Sequence, residues 1–297
     1  MSTPTPDIQI RPLTTLAQMA PLAALQQAIW AMSPRETVPA HHFHALVDSG
    51  NSVLGAYADG RLVGFVLSTL GAIPTPGRID KVAAARLKLL SVMMGVHPDY
   101  RGRGIAYQLK LAQRDFAQKL GIRLITWTFD PLLSRNGWLN IGKLGAVCHD
   151  YRRNYHGDMD GINAGLATDR FAVQWWLTSS RVESRVSRQR KGLSLAALLG
   201  GGARIVNAAE VDGNGRLAPP ETTTTTPDAT LLLAEIPANF AAIKQADMDL
   251  AQRWRHHTRH LYETYFNQGY VVTDFVHEPD EAGVARSYYL LTQGRGA

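Results

Sequence analysis

The residues with the clearest chemical potential are the six at positions 101–106, RGRGIA. An almost wholly apolar segment, residues 89–96, precedes them, which predicts a buried strand that Pro98 ends. Apolar residues then recur at spacings of three and four: Ile105, Leu109, Ala112, Phe116 and Leu120. This spacing predicts a helix over residues 105–120. The hexapeptide is therefore expected to be the turn between a strand and a helix.

A turn of this kind is suited to binding an anion. The first amides of a helix have no internal partner, and the helix dipole places partial positive charge beside them. Gly102 and Gly104 let the backbone approach a phosphate closely, while Arg101 and Arg103 add charge. The spacing differs from the P-loop and from the dinucleotide G-x-G-x-x-G pattern.

The turn resembles the Q/R-x-x-G-x-G/A signature of the GNAT acyltransferases, carried here by Arg101, Gly104 and Ala106. The resemblance implies an enzyme that uses acetyl-CoA or another acyl-CoA as co-substrate, with residues 101–106, Ile105 included, at its pyrophosphate. The KLGA sequence at 143–146 is similar to the end of the corresponding GNAT helix. Residues 127–146, then Tyr151 and Tyr155 with Gly157, and residues 165–171 further resemble a predicted-acyltransferase branch with members associated with N-acylation, including succinylation, of amino acids.

The remaining elements are predicted from periodicity and turn residues. We expect a strand at 8–11, a helix over 16–30 capped by Thr14 or Thr15, and a second helix at 41–47. Two strands, 53–57 and 62–70, flank the Asp59-Gly60 hairpin signal. Further strands are expected at 124–129, parallel to the central strand, and at 146–151 and 171–177.

The C-terminal segment is predicted to fold as strand, helix, strand, strand: 231–236, 250–266, 270–276 and 287–291. This is the order of the second half of a GNAT domain. The fold class expected is thus α/β with a mixed sheet, having a GNAT domain at 6–180, a basic linker rich in glycine, threonine and proline at 181–228, and an α+β half-domain at 229–297. One hairpin is expected within the linker.

Composition sets the limits on function. The chain has 297 residues, a net charge of +6 and a single cysteine, Cys148, which excludes an internal disulfide framework or a cysteine metal cluster. It has no run of eighteen apolar residues and no signal-peptide pattern at the N-terminus, so a cytoplasmic protein without a membrane partner is expected. The positive charge suits coenzyme A and nucleic acid equally.

The resemblance also implies where the thioester lies. In GNAT enzymes a backbone N–H near a bulge in the central strand polarises the acyl carbonyl, which corresponds here to Met94, Gly95 and Val96, with Gly95 as the expected bulge residue. The pantetheine arm lies between two splayed parallel strands. Residues that follow the second of these strands are expected to contribute to cofactor binding; they are Asn136, Asn140 and Lys143.

Candidates for proton transfer and substrate binding come from strand ends. Asp130 is the candidate general base, with a helix cap as its alternative role. The usual tyrosine position of the family is Ile141 here, so the candidate general acid is Tyr151, with Tyr155 and Ser134 as alternatives. Trp127 is a candidate for substrate contact, and Arg135 and Arg170 could receive a carboxylate, unless they are ordinary surface arginines.

The sequence therefore predicts direct transfer of an acetyl or succinyl group to the amine of a small molecule, an amino acid being favoured. A non-catalytic acyl-CoA-binding protein, a protein-directed acyltransferase and a nucleic-acid binder remain alternatives. The last would use the basic stretch Arg181, Arg185, Arg188, Arg190 and Lys191. No metal is expected at the two histidine groups, 41–44 and 256–260, which lack a metal-binding pattern. The acyl chain and the oligomeric state stay open.

Overall fold

The computed structural model divides the chain into two units, which are described separately. The first comprises residues 1–127 with 160–162, and the second residues 128–159 with 163–297. Within them the structure describes residues 7–73, 87–159, 161, 164–187, 189, 192–221 and 229–294. The connection predicted after residue 73 lies mostly outside the described residues.

The first unit contains five strands and four α-helices in its described part. In chain order they are β1 (Ile8–Pro12), α1 (Leu16–Met19), α2 (Leu22–Trp30), α3 (Ala40–Asp48), β2 (Ser52–Ala58), β3 (Arg61–Ala72), β4 (Leu87–Val96), α4 (Ile105–Lys119) and β5 (Leu124–Phe129). The last strand begins in this unit and ends in the second.

These strands form a mixed sheet in the order β1-β2-β3-β4-β5. The pairs β1–β2, β2–β3 and β3–β4 are antiparallel, whereas β4 and β5 are parallel and are connected by the crossover through α4. A core that includes Leu22, Phe43 and Phe65 packs α1, α2 and α3 against the sheet. A second core, which includes Val66, Ile105 and Leu109, packs α4 against it.

Two predictions for this unit need correction. The expected single helix over 16–30 is two helices, because Pro21 interrupts it; Thr15 caps the first with its side chain, as predicted. The buried face of α4 also differs from the apolar repeat. Lys110, Gln113 and Ala117 are buried there, whereas Leu120 is exposed. Two polar side chains therefore lie in the core on the α4 side of the sheet.

The second unit contains the remaining elements. In chain order they are α5 (Ser134–Gly137), a π-helical segment (Trp138–Lys143), β6 (Val147–Arg152), β7 (Arg170–Trp176), α6 (Ser180–Val186), α7 (Leu195–Gly200), β8 (Arg204–Ile205), β9 (Glu210–Val211), β10 (Leu217–Ala218), β11 (Leu231–Pro237), α8 (Phe240–Ala246), α9 (Met248–Asn267), β12 (Tyr270–Pro279) and β13 (Ala285–Gln293).

Six of its strands lie in the order β7-β6-β12-β13-β11-β8, and β9 pairs with β10 as the hairpin expected in the linker. The predicted strand, helix, strand, strand order of the C-terminal segment is present in β11, α9, β12 and β13, with α8 as an added short helix. The α/β class with a mixed sheet is thus confirmed. The three predicted domain boundaries stay a prediction. Within the described ranges, no helix has the length and apolar character needed to cross a membrane.

Candidate functional site

The predicted anion-binding turn has the required backbone geometry. Gly102 and Gly104 have φ values of +79° and +76°, a left-handed conformation that favours glycine. Gly104 is the N-cap of α4, and the first helical hydrogen bond is donated by the Gln108 amide to the Gly104 carbonyl at 3.1 Å. The amides of Ile105, Ala106 and Tyr107 precede that bond. The turn therefore presents a helix N-terminus of the kind that binds phosphate.

The two arginines of the turn differ in their contacts. Arg101 donates from Nε to the Val96 carbonyl and from Nη2 to the Ile29 carbonyl, both at 3.2 Å. It thereby joins the end of β4 to the end of α2. Arg103 is exposed and lies over the ring of Tyr100, 5.1 Å from its centroid. Both guanidinium groups add positive charge to the turn, and Arg101 also fixes its position.

The backbone of β4 points its polar groups alternately to its two neighbours. The His97 amide donates to the Val63 carbonyl of the β3 side at 2.8 Å, and the register continues through Val96 and Gly64. Because bonding alternates along an antiparallel pair, the Met94 and Val96 groups point away from β3. The bond from Arg101 to the Val96 carbonyl agrees with this direction. The Met94 N–H is thus directed to the β5 side of the strand.

Pairing between β4 and β5 is short, being limited to Leu89 with Ile125 and Leu90 with Thr126. The register of β4 against β3 shifts directly after this point, because Leu67 pairs with Met93 and Ser68 with Ser91. Val92 is therefore the bulged residue. The prediction of a bulge at Gly95 is wrong, since position 95 remains in regular register with β3.

Gly95 has a different reason to be glycine. A Cβ atom there would lie 2.8 Å from side-chain atoms of Ile29 and 2.9 Å from the Trp30 ring. Any larger residue would have to displace the side chains of Ile29 and Trp30. The glycine therefore reflects close packing rather than a bulge.

A buried lysine lies where the two parallel strands separate. The Lys110 ammonium group donates to Ser91 Oγ at 2.8 Å and to Gln113 Oε1 at 3.0 Å, and it lies 3.7 Å from the centroid of the Trp127 ring. Gln113 Nε2 continues the chain to Ser68 Oγ at 2.7 Å. Burial lowers the pKa of Lys110. Sequence reasoning missed this group because it lies beside the apolar repeat of α4.

The position of Trp127 bears on its predicted contact with substrate. The residue is 6% exposed, and Lys110 lies over its ring. Its role towards substrate stays a prediction, while its packing role is evident from the contact with Lys110.

In the second unit, Asp130 is not placed as a free base. Arg255 donates to both of its carboxylate oxygens, at 2.9 and 2.5 Å, and the Leu132 amide donates to Oδ1 at 2.9 Å. Both carboxylate oxygens of Asp130 thus accept hydrogen bonds from Arg255, an arrangement that also fits a structural ion pair. The role of Asp130 as general base stays a prediction.

Tyr151 is also held by a charged neighbour. Its hydroxyl donates to Asp169 Oδ2 at 2.8 Å, and burial raises its pKa. Arg259 donates to both oxygens of Asp169, at 2.8 and 2.9 Å. Burial opposes ionisation of this carboxylate, but the bonds from Arg259, the Asn154 amide and Tyr151 leave its pKa lowered. These contacts argue against Tyr151 as a ready proton donor.

The two predicted substrate arginines have different surroundings. Arg170 is buried, donates to the Asp169 carbonyl at 2.9 Å and lies 3.9 Å from Asp130 Oδ2. Arg135 is exposed on α5. Arg170 is therefore part of the ion-pair cluster, and the surface alternative fits Arg135.

The remaining predicted cofactor residues lie on α5 and the π-helical segment. Asn140 is buried, Asn136 is half-buried, and Lys143 is exposed, with its ammonium 6.0 Å from the Trp138 ring. Their contact with the pantetheine arm stays a prediction. Cys148 is buried and its pKa is raised, first by desolvation, so it is unsuited to act as a nucleophile.

The basic stretch after residue 180 is only partly a charged surface. The Arg185 side chain is buried and donates to Asp274 Oδ2 at 2.8 Å, and Arg181 donates to the Gly145 carbonyl at 3.2 Å. Arg188, Arg190 and Lys191 lie outside the described residues. Within the described ranges there is no group of histidine, cysteine and acidic side chains arranged to hold a metal.

Comparison with known families gives one match for part of the chain. Residues 19–134 match the acetyltransferase (GNAT) family, and this segment contains the turn at 101–106. The family inferred from that turn is thus confirmed for this segment. Comparison with curated proteins gives no match.

Solved structures to which this chain is similar include the following three. The ribosomal-protein-S18-alanine N-acetyltransferase of Escherichia coli is 16% identical, covering 59% of this chain and 96% of its own, with a TM-score of 0.44. A putative acetyltransferase of Salmonella typhimurium, solved with acetyl-CoA, is 18% identical over 59% of this chain and 97% of its own, with a TM-score of 0.44. NAA60 of Arabidopsis thaliana, in complex with acetyl-CoA, is 17% identical over 57% and 99%, with a TM-score of 0.45.

Proposed function

We propose that this chain, whose residues 19–134 match the acetyltransferase (GNAT) family, transfers an acyl group from an acyl-CoA to the amine of a small molecule. The observation that carries the proposal is the N-terminus of α4. There the left-handed Gly104 is followed by three amides that precede the first helical hydrogen bond. The amides and the charges of Arg101 and Arg103 fit a pyrophosphate.

The residues of β4 fit the next part of the reaction. With the pyrophosphate at α4, the Met94 N–H would donate to the thioester carbonyl and polarise it. The amine nitrogen would then attack the carbonyl carbon, the C–S bond would break, and the nitrogen would lose its proton. The sulfur of coenzyme A would leave as a thiolate and could then take up a proton from solvent. Departure as a thiolate requires little help from an acid because thiol pKa values lie near ~8.5.

Direct attack is favoured over a covalent acyl-enzyme. The chain has one cysteine, and Cys148 is buried with a raised pKa in the second unit. A thiol that resists ionisation is a poor nucleophile. Solvent is the simplest proton acceptor for the amine, since Asp130 is held by Arg255.

We further propose an amino acid as the acceptor and an acetyl or succinyl group as the acyl group. The proposal is supported by the resemblance of residues 127–146 and 165–171 to acyltransferases associated with N-acylation, including succinylation, of amino acids.

The proposal is tested by calorimetric binding of CoA, acetyl-CoA and succinyl-CoA to the wild type and to Gly104→Glu. The variant places a carboxylate at the expected pyrophosphate position, so binding should be lost. Gly60→Glu is the matched control, since Gly60 has φ +79° and open surroundings like Gly104 but lies in the β2–β3 turn. Both substitutions carry a similar backbone strain of about 1 kcal/mol.

The expected result is micromolar binding by the wild type and by Gly60→Glu, with none by Gly104→Glu. The preferred thioester then goes into a screen of amino acids and other amines for release of free CoA. Absence of wild-type binding to every thioester would overturn the proposal. Binding without transfer to any amine would favour the non-catalytic alternative.

A further inference from the structure

We propose that Lys110 is a positioning residue: it holds apart the strands β4 and β5 at the point where they separate, and so sets the direction of the Met94 N–H. The inference rests on the proposed function, because it gives this N–H the role of polarising the thioester. It concerns a side chain that touches neither the turn nor the reacting groups.

The location of Lys110 carries the first part of the inference. The last paired residues of the two strands are Leu90 and Thr126. The next residue in each strand is Ser91 in β4 and Trp127 in β5, and Lys110 contacts both. One side chain from α4 thus bridges the two strands one residue beyond their last pair.

The chemistry of the contacts carries the second part. Ser91 Oγ and Gln113 Oε1 accept from the Lys110 ammonium, and the Trp127 ring offers it a π-face at 3.7 Å. None of these described partners is a carboxylate. An ammonium with only neutral partners is a costly way to fill a core that methionine or leucine could fill. The presence of a lysine here is easier to explain by the geometry that it imposes on the strands than by a gain in stability.

The path from Lys110 to Met94 is short. Ser91 adjoins the bulged Val92, and Met94 follows two residues later. Gln113 extends the same network to Ser68, the β3 partner of Ser91. The network therefore contacts both β3 and β4 at the pair that directly precedes the bulge. A displacement of Ser91 would rotate the following residues, and a misplacement of about 1 Å at a reacting group can reduce the rate about 100-fold.

The test measures carbonyl polarisation directly, so it does not depend on knowing the amine. The infrared carbonyl stretch of [1-13C]acetyl-CoA is recorded free and bound to the wild type, Lys110→Met and Ser91→Ala. In the wild type the band should move to lower frequency on binding. In both variants it should move back towards the free value, while calorimetry finds the affinity for CoA unchanged within about twofold.

Kinetic measurements with an amine from the screen provide the second readout. Lys110→Met and Ser91→Ala should lower kcat by about 10- to 100-fold at little change in the KM for acetyl-CoA. The double variant should fall no further than Lys110→Met alone, because both changes break one contact. Lys119→Met, at the exposed end of α4, is the control and should match the wild type.

Several results would overturn the inference. One is that the carbonyl band of bound acetyl-CoA has the same frequency in Lys110→Met as in the wild type. Another is that kcat of Lys110→Met equals that of the wild type at temperatures at which the variant is folded. If Lys110→Met does not fold, Ser91→Ala alone decides, because it removes only a hydroxyl. A parallel loss of CoA affinity and kcat would indicate general disruption and also overturn it. Failure of the proposed function is distinct, since the wild type would then bind no thioester.

Discussion

The two units each bury a long basic side chain, and they do so differently. In the second unit Arg255 is 1% exposed and donates to both oxygens of Asp130. In the first unit Lys110 is also 1% exposed, but its described partners are a serine, a glutamine and a tryptophan ring. Burial lowers the pKa of Lys110, whereas for Arg255 the opposing pull of Asp130 outweighs burial and raises it.

This difference in partners indicates a structural role for Arg255 and makes Lys110 a candidate for a functional role. A buried cation with a bidentate counter-ion holds its charge and its place, and removal of either partner leaves an uncompensated ion. A buried cation without a counter-ion keeps a perturbed pKa, which is more frequent at functional sites. Charge alone would not have distinguished the two residues. Their partners do.

The largest expected change in the free energy of unfolding follows from removal of the Arg255–Asp130 ion pair. Arg255→Met should lower the free energy of unfolding by about 3–5 kcal/mol, because it leaves the Asp130 carboxylate without its main partner. Urea denaturation followed by circular dichroism measures the change. Arg153→Met is the control: it breaks the largely exposed pair with Glu263 and should lower the free energy of unfolding far less. Equal effects of the two variants would contradict the distinction drawn here.

The pH dependence of the free energy of unfolding should show the lowered pKa of Lys110. The folded protein binds fewer protons than the unfolded chain between the lowered pKa of Lys110 and its ordinary value of 10.5. Stability therefore rises with pH across this window, and the gain is lost as pH falls towards the lowered pKa. The wild type should gain stability relative to Lys110→Met between neutral pH and pH 10.5. A difference between the two that is constant with pH would refute an unpaired buried lysine.

A smaller effect is expected for a buried hydroxyl with a partner. Tyr289 donates to the Pro131 carbonyl at 2.9 Å within the second unit. Tyr289→Phe should therefore lower the free energy of unfolding by about 1 kcal/mol, measured by the same urea titration. A stabilised variant would show that this bond contributes nothing.

The smallest effect is expected for a buried hydroxyl that has no hydrogen-bond partner among the described residues. Tyr262 is fully buried and its hydroxyl is of this kind. Tyr262→Phe should leave stability unchanged or raise it by a few tenths of a kcal/mol, because the phenyl ring avoids burying an unsatisfied group. A loss comparable to that of Tyr289→Phe would point to a bound water at this hydroxyl.

Local sequence signals predicted the elements well. The strand LITWTF was predicted at 124–129 and is β5, Leu124–Phe129. The RGRGIA turn was predicted to join a strand to a helix, and Gly104 does cap α4. Both features depend on residues adjacent in sequence, whose periodicity and conformational preferences are visible without the fold.

Features set by distant residues could not be predicted. The partner of Asp130 is Arg255, 125 positions later, and no local pattern indicates that pair. The bulge was expected at Gly95 but lies at Val92, because a bulge depends on the pairing of β4 with β3. Lys110 and Gln113 are polar residues on a helix, and only the packing of α4 onto the sheet shows that they are buried.

The contact of Gly95 with the end of α2 has a consequence for how this sequence can vary. A Cβ at position 95 would collide with the side chains of Ile29 and Trp30, and Arg101 donates a hydrogen bond to the Ile29 carbonyl. In a combinatorial library of these positions, alanine at 95 should survive selection for a folded protein mainly alongside smaller residues at 29 or 30. Substitutions in β4 at position 95 and in α2 at positions 29 and 30 are therefore expected to be coupled.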